Sequence, residues 1–156
     1  MERFKEIMRE VPSSVVIITT MWRGEPVGMT VNTFNSVSLD PLLVMFMADR
    51  RKGNEVPYIE SRKFCVNFVD NRDLLEIFAF KNVKERFSTV KYRLINGVPI
   101  LEESFAYMIS EVKSVYEEGD HSIIIGKIVD MEMKRNATPI IYFKKKFLSI
   151  PKGLGV

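Results

Sequence analysis

The sequence predicts a mainly β protein, an antiparallel barrel of Greek-key type with a few short helices. Two observations favour this class. Short segments rich in β-branched and aromatic residues recur along the chain, separated by turn-forming Gly, Asn, Asp and Pro residues. Helical periodicity is confined to brief stretches that do not alternate regularly with the strands, as a parallel sheet would require.

The first helix is predicted over residues 2–10, where apolar residues recur at helical spacing until Pro12 ends the pattern. We expect its apolar face to pack on the domain. Residues 15–20 are β-branched throughout, and residues 27–33 are again extended after a turn. The two segments therefore predict a β-hairpin.

A continuous apolar run over residues 42–48 predicts a strand buried on both faces. A short helix is predicted over residues 55–61. Alternation over residues 64–69 predicts the next strand, and helical spacing returns over residues 72–80.

Two long strands are predicted near the end of the chain, over residues 105–115 and 123–133. The turn residues 119–122 separate them. Gly126 lies inside the second strand, where a glycine indicates a bulge or a close approach of another group. A turn at residues 96–97 precedes a shorter extended piece.

A single domain over residues 1–156 is the natural expectation for a chain of this length. The composition, 46% hydrophobic and 28% charged, is that of an ordinary soluble globular protein. The net charge is only +3, and the basic residues form short separate clusters. We therefore expect no nucleic-acid binding.

Cys65 is the only cysteine, so an internal disulfide is impossible and a reducing cytoplasm is the expected compartment. Its apolar neighbours predict a buried structural thiol rather than a nucleophile. The charged N-terminus contains no apolar run of signal-peptide or membrane-span length, so we expect neither secretion nor membrane insertion.

The most unusual stretch is residues 28–41, which is dense in small neutral hydroxyl and amide side chains: Thr30, Asn32, Thr33, Asn35, Ser36 and Ser38. Such groups, with the backbone N–H groups of a turning segment, can hold an anion or a polar ring edge without adding a second charge. The stretch is either a ligand cradle or a polar connection between two strands.

A basic segment, Asp49-Arg50-Arg51-Lys52-Gly53-Asn54, follows the apolar strand and precedes the short helix. Cations beside a helix N-terminus are suited to a phosphate group. The alternative is a solvated basic loop, which such runs commonly form.

His121 is the only histidine, and it follows Gly119-Asp120 at the entry to a strand. Loops at such positions often carry active residues. The sequence offers no recognised partners for a metal site around it, so no metal is expected. The nucleophile-elbow, P-loop, dinucleotide-binding and zinc-protease motifs are all missing, which argues against hydrolase and phosphoryl-transfer functions.

The order G-M-T-V-N-T-F-N-S-V-S-L-D-P-L-L-V from Gly28 resembles the flavin-binding segment of the flavin reductase-like family, the small components of two-component flavin-dependent monooxygenases. Further segments are similar to the family's F-A…R-F element, its G-x-P-x-L segment, its G-D-H motif and its closing segment: Phe78-Ala79-Phe80 with Glu85-Arg86-Phe87, Gly97–Leu101, Gly119-Asp120-His121 and Pro139–Phe147. The resemblance covers the chain from Val11 onward and implies the FMN-binding split barrel.

The resemblance also implies a site for FMN or FAD, with NADH or NADPH as co-substrate. The implied flavin-binding residues are Met29, Thr30, Val31, Asn32, Thr33, Ser36, Val37, Ser38, Ala48, Asp49, Arg50, Arg51, Lys52, Asn54, Arg86, Phe87, Asp120, His121, Tyr142 and Phe147. Lys52 and Arg51, then Asn54 and Arg86, are the expected phosphate contacts. His121 is expected beside the nicotinamide ring, with Asp120 orienting it.

The implied activity is an NAD(P)H:flavin oxidoreductase that supplies reduced flavin to a separate oxygenase, one hydroxylating an aromatic such as 4-hydroxyphenylacetate. Because a hydride passes directly between two stacked rings, little acid–base machinery is needed. A homodimer is expected by analogy. The alternatives are a pyridoxamine-phosphate-oxidase-like flavoprotein with tightly held FMN, and a non-enzymatic flavin-binding module.

Overall fold

Strands dominate the computed structural model, which describes residues 1–151; the last five residues of the predicted domain lie outside that range. The elements in order are α1 (Glu2–Arg9), β1 (Ser13–Ser14), β2 (Val16–Trp22), β3 (Glu25–Val31), β4 (Asn35–Leu39), β5 (Leu42–Asp49), α2 (Val56–Ser61), β6 (Lys63–Phe68), α3 (Arg72–Phe80), a 3-10 turn (Val83–Glu85), β7 (Tyr92–Ile95), β8 (Val98–Leu101), β9 (Ala106–Glu118), β10 (His121–Met133), β11 (Ile140–Phe143) and β12 (Lys146–Ser149).

Seven strands form the main sheet, in the order β3-β2-β6-β9-β10-β5-β4. Every neighbouring pair is antiparallel. Two smaller sheets, β1-β11-β12 and β7-β8, lie beside it. The predicted fold class, an antiparallel Greek-key split barrel with a few short helices, is confirmed.

The side chain of Thr33 brings the two ends of the main sheet together. Thr33 lies just after β3, and its hydroxyl accepts a hydrogen bond from the Met47 backbone N–H at 2.9 Å and donates one to the Met47 carbonyl at 3.1 Å. Met47 belongs to β5, at the opposite side of the sheet. The hydroxyl thus takes the place of a backbone partner where the barrel closes.

Three aromatic rings fill the interior. Phe46 packs edge-to-face against Phe64 and Tyr58, with centroid distances of 4.9 and 5.4 Å. The Tyr58 hydroxyl donates to the Ile18 carbonyl at 3.1 Å, so the buried phenol is satisfied. The same cluster contains Val16, Ile18, Val31, Val44, Ala48, Val66 and Ile124.

Gly126 confirms both expectations for a glycine inside a strand. The register between β10 and β9 shifts between Ile125 and Gly126. A Cβ at position 126 would stand 2.5 Å from Cζ of Phe64, far inside van der Waals contact. Only glycine leaves room for the Phe64 ring at this point.

The outer face of the sheet is covered by α3 and the small sheets. Leu74, Leu75 and Phe78 of α3 pack in a second cluster with Ile140 and Phe147. Cys65 lies in a third cluster, fully buried, and burial raises the pKa of its thiol. The prediction of a buried structural thiol is confirmed.

Two predictions about packing are wrong. In β5, Val44, Phe46 and Ala48 are buried while the residues between them are only partly so, because one face of the strand borders an open groove instead of a second layer. In α1 no residue is buried, and Phe4, Ile7 and Met8 are at least half exposed. Its helical pattern was correct, but its apolar face has no partner within the described chain.

The turn at residues 96–97 and the extended piece after it were predicted and form the second half of the β7-β8 hairpin. The sequence did not predict β1, β4, β7, β11 or β12. β4 is short and polar, so its pairing with β5 depends on the neighbouring strand and not on its own pattern. The other boundaries fall within about two or three residues of the expected ones, as helix and strand ends generally do. No helix in residues 1–151 has the length and apolarity needed to cross a bilayer.

Replacing Gly126 by Ala should lower the free energy of unfolding by about 1–3 kcal/mol, since the added methyl group meets the Phe64 ring in a filled core. Urea unfolding measures the effect. In a Phe64→Leu background, where the ring is absent, the same substitution should cost less. An equal cost in both backgrounds would show that Phe64 is not the group the methyl meets.

Candidate functional site

The polar stretch 28–41 does not form one continuous bend. β3 runs through Val31 and β4 begins at Asn35, so residues 32–34 connect two strands. Because side chains alternate along a strand, neighbouring residues of the stretch face different surroundings. The proposed cradle is therefore divided among separate hollows.

The first hollow, which we call the basic cavity, has a volume of about 380 Å³. Met29 and Thr30 of β3 line it, together with Lys52, Asn54 and Arg86. The other lining residues are Trp22, Val27, Gly28, Gly53, Pro57, Tyr58, Phe78, Ala79 and Val83. The structure thus brings together five of the residues predicted to bind flavin.

Arg86 is held in place by the backbone around this cavity. One guanidinium nitrogen, Nη1, donates to the Gly28 carbonyl at 2.9 Å, and Nε donates to the Lys81 carbonyl at 3.0 Å. Burial lowers the pKa of Arg86, but an arginine remains protonated in proteins. A fixed, half-buried cation in a cavity without any lining carboxylate favours an anionic ligand.

Gly28 allows α3 to approach the wall of the basic cavity. A Cβ at this position would lie 2.8 Å from Cε1 of Phe78 and 3.2 Å from the Thr19 methyl. The Thr30 hydroxyl donates to the Leu75 carbonyl of the same helix at 2.7 Å. Helix α3 therefore forms one side of the cavity, because Gly28 leaves room for its Phe78 ring and the Thr30 hydroxyl hydrogen-bonds to its backbone.

A second hollow, the open groove, has a volume of about 950 Å³ and contains Asn32, Thr33 and Tyr142 of the predicted site. It runs between α1 and the partly exposed face of β5. Its other lining residues include Phe4, Met8, Phe34, Met45, Met47, Lys144 and Lys145. The predicted flavin-binding residues thus divide between two hollows.

The remaining predicted residues of the polar stretch lie elsewhere. Ser36 lines a third hollow of about 390 Å³. Val31 is buried in the barrel interior, as is Ala48 at the end of β5. Val37 and Ser38 lie on β4, the outermost strand of the sheet, and Val37 is exposed.

Phe87 and Phe147 pack in the second hydrophobic cluster. The Phe87 ring stands edge-to-face with Phe78 and Tyr92, at centroid distances of 5.0 and 5.3 Å. Phe147 lies 5.7 Å from the Tyr142 ring. Neither residue lines the basic cavity or the open groove. Their described contacts are those of core aromatics.

His121 begins β10 and lies directly after the tight turn at Gly119 and Asp120. Its Nδ1 is 2.7 Å from Oδ1 of Asp120. The hydrogen bond with His121, followed by attraction to Arg51, lowers the pKa of Asp120, so the carboxylate is ionised at neutral pH and can only accept. Nδ1 therefore carries the proton, and Nε2 of a neutral imidazole is left as an acceptor.

Arg51 joins this turn to the end of β5. Its Nη2 is 2.7 Å from Oδ2 of Asp49 and its Nη1 is 3.4 Å from Oδ2 of Asp120. The hydrogen bond from Arg51 lowers the pKa of Asp49 to about 2. Arg51 does not line the basic cavity, although Lys52 and Asn54, next along the chain, do.

Arg50 holds the same turn through its backbone. Its N–H donates to the Asp120 carbonyl at 2.9 Å, and its guanidinium reaches the Gly119 carbonyl at 3.0 Å and Glu117 at 3.1 Å.

Within residues 1–151, no three His, Cys, Asp or Glu side chains gather as a metal site requires.

Sequence reasoning missed several walls of the basic cavity. Tyr58, Pro57 and Val83 gave no signal, because each is an ordinary apolar or helical residue until the chain folds. Phe78 and Ala79 belong to the family's F-A element, and Gly28 is the first residue of the polar stretch. These three residues also line the cavity, although they were not predicted as flavin-binding residues.

Comparison with known proteins shows the family. The family model described as flavin reductase like domain matches residues 8–151. A flavin reductase from Pseudomonas putida is 34% identical over 145 residues, which cover 90% of this chain and 85% of that protein. The reductase subunit HsaB of a flavin-dependent monooxygenase from Rhodococcus jostii strain RHA1 is 27% identical and covers 95% of this chain and 77% of its own.

Among solved structures, the flavin reductase HpaC complexed with NADP+ superposes with a TM-score of 0.93. The two sequences are 52% identical, and the alignment covers 96% of this chain and 97% of that one. The predicted resemblance is confirmed, and the chain belongs to the flavin reductase-like family.

Proposed function

We propose that this protein reduces FMN or FAD with NADH or NADPH and that the reduced flavin passes to a separate monooxygenase component. The family supports the reductase activity. The observation that carries the proposal is the basic cavity, where Lys52 and Arg86 lie beside the polar backbone and hydroxyl groups of β3. The relative HsaB, a monooxygenase reductase subunit, supports the partner.

The residues of the basic cavity suit the phosphate end of a flavin. Lys52 and Arg86 provide positive charge, and the Asn54 amide adds hydrogen-bonding capacity. Among the described residues that line the cavity, none carries a carboxylate that would repel an anion.

Bound flavin would accept a hydride from the nicotinamide and thereby supply the redox chemistry. The chain's own residues bind and orient. The Thr30 and Thr33 hydroxyls already donate to the Leu75 and Met47 carbonyls. Backbone N–H groups of β3, an edge strand of the main sheet, are therefore the donors that would stabilise negative charge on the ring system. We place His121 beside the nicotinamide. With Nδ1 hydrogen-bonded to Asp120, the unprotonated Nε2 of the neutral imidazole can accept a hydrogen bond.

We also propose that the protein is a homodimer. Exposed apolar side chains lie on neighbouring parts of β4, β5 and β10: Val37, Leu39, Leu42, Val129 and Met131. A second exposed row, Phe4, Ile7 and Met8, lies along α1. Apolar patches of this kind are typical of interfaces. A second copy of the chain would cover them.

The partner oxygenase is proposed to hydroxylate an aromatic substrate such as 4-hydroxyphenylacetate, as the family resemblance implies.

The cytoplasm is the proposed compartment, since the unpaired Cys65 thiol suits a reducing environment.

Mixing the protein with NADH or NADPH and free FMN, FAD or riboflavin should produce oxidation of the nicotinamide, followed as loss of its absorbance band. His121→Ala should raise the KM for the nicotinamide by about 3- to 10-fold, the effect of losing one hydrogen bond, and leave the KM for flavin unchanged. If no flavin supports oxidation above the uncatalysed rate, the proposed activity is wrong.

Lys52→Ala should raise the KM for FMN by about 3- to 10-fold and leave that for riboflavin unchanged, because only FMN carries the phosphate. Lys127→Ala is the matched control, since Lys127 is an exposed lysine on β10 outside the cavity. Equal weakening of FMN and riboflavin would place Lys52 away from the phosphate.

Sedimentation velocity should show a species of twice the 18.1 kDa chain mass at micromolar concentration. Leu39→Lys, which puts a charge on the most exposed apolar side chain of the β4, β5 and β10 patch, should shift the population toward monomer because a buried unpaired charge is costly. A monomer of the unaltered protein would disprove the dimer.

A further inference from the structure

We propose that Arg51 is a positioning residue, which holds Asp120 and through it fixes the direction and tautomer of His121. The inference rests on the proposed role of His121 for its effect on catalysis, though not for its structural content. It assigns Arg51 a role different from the phosphate contact that the sequence favoured.

Arg51 is committed to two carboxylates and has little capacity left for a phosphate. Toward Asp49 it makes a fork: Nε to Oδ1 at 3.1 Å and Nη2 to Oδ2 at 2.7 Å, with its backbone N–H also donating to Oδ1 at 2.8 Å. Its Nη1 faces Oδ2 of Asp120 at 3.4 Å. The fork to Asp49 fixes the direction of the planar guanidinium, and Nη1 then lies within ion-pair distance of Asp120.

The contacts form a closed network of four residues, Asp49, Arg51, Asp120 and His121. Asp49 and His121 are directly opposite each other in the ladder between β5 and β10. Asp49 is bound by Arg51, and Arg51 also contacts Asp120. Asp120 in turn lies 2.7 Å from the Nδ1 atom of His121. Arg51 is the member that joins the two carboxylates.

The backbone of the turn is held independently of Arg51. The Arg50 N–H donates to the Asp120 carbonyl, and the Arg50 guanidinium holds Gly119 and Glu117. Removing the Arg51 side chain should therefore leave the turn in place and release the Asp120 carboxylate, while Asp49 keeps its hydrogen bond from the backbone N–H of residue 51. This separates a positioning effect from a loss of the fold.

Asp120 needs such an anchor because its side chain is 55% exposed. A carboxylate open to water exchanges partners readily. Because the fork to Asp49 fixes Arg51, its Nη1 approaches Oδ2 of Asp120 from a constant position. With Oδ2 held by Arg51, Oδ1 stays turned toward Nδ1 of His121, and the imidazole keeps Nε2 as its acceptor. Without Arg51, both the ring direction and the tautomer lose that constraint.

Arg51→Gln should raise the KM for the nicotinamide by about 3- to 10-fold, as His121→Ala does, while the KM values for FMN and riboflavin stay unchanged. Arg51→Lys keeps the positive charge without the fork and should recover only part of the loss. Arg135→Gln is the matched control, because Arg135 also forks an aspartate, Asp70, at 2.8 Å on both nitrogens but lies outside the site.

A double-mutant cycle with Asp120→Asn tests whether Arg51 acts through Asp120. If it does, the double variant should be no worse than Asp120→Asn alone. Additive losses would show that Arg51 acts independently of Asp120 and would overturn the proposal. A KM that rises for FMN and not for riboflavin in Arg51→Gln would show contact with the phosphate and would also overturn it.

The imidazole can also be observed without substrate, since His121 is the only histidine and gives one set of ring signals. At alkaline pH, where an imidazole is neutral, nitrogen-15 NMR of the unaltered protein should show a protonated Nδ1 and an unprotonated Nε2, and Arg51→Gln should shift both signals toward a mixture of tautomers. Unchanged ring signals in Arg51→Gln would overturn the positioning role. If His121→Ala leaves nicotinamide kinetics unaltered, the catalytic assignment fails instead, and the ring signals alone decide the positioning.

Discussion

The Phe64 ring lying over Gly126 is the contact on which the arrangement of this molecule depends. Phe64 reaches from β6 across β9 to β10, where a side chain at position 126 would occupy the same space. Phe46 and Tyr58 then pack around that ring and fill the barrel. A core this densely packed leaves the strands one register, so the groups on the barrel rim keep their positions.

The segment from Asp49 to Asn54 connects the two candidate sites on that rim, the turn that carries His121 and the basic cavity. Its first residues, Asp49, Arg50 and Arg51, hold the turn that presents His121. Lys52 and Asn54 then line the basic cavity. A single short loop therefore sets the positions of both the expected phosphate contacts and the imidazole, and it can do so because β5, which precedes it, is anchored in the core.

Much of the fold could be predicted because local patterns agree with tertiary structure. The helical spacing over residues 72–80 matches α3 residue for residue, and the glycine inside β10 marks a real bulge. The failures have physical causes. β4 pairs only because β5 lies beside it, and the apolar face of α1 resembles a packing face although nothing in the described chain covers it.

Periodicity and composition in the sequence determined the antiparallel β fold class and the buried thiol of Cys65. The resemblance of its motifs to a known family determined the family and the candidate site residues. Only the tertiary structure decided which of those residues meet. Met29 and Thr30 share a cavity with Arg86 while Asn32 and Thr33 face a different groove, since alternation along a strand separates neighbours and strand pairing joins residues far apart in the chain. The charge on Arg51 was visible in the sequence, but the two carboxylates that engage it are brought together only by the pairing of β5 with β10.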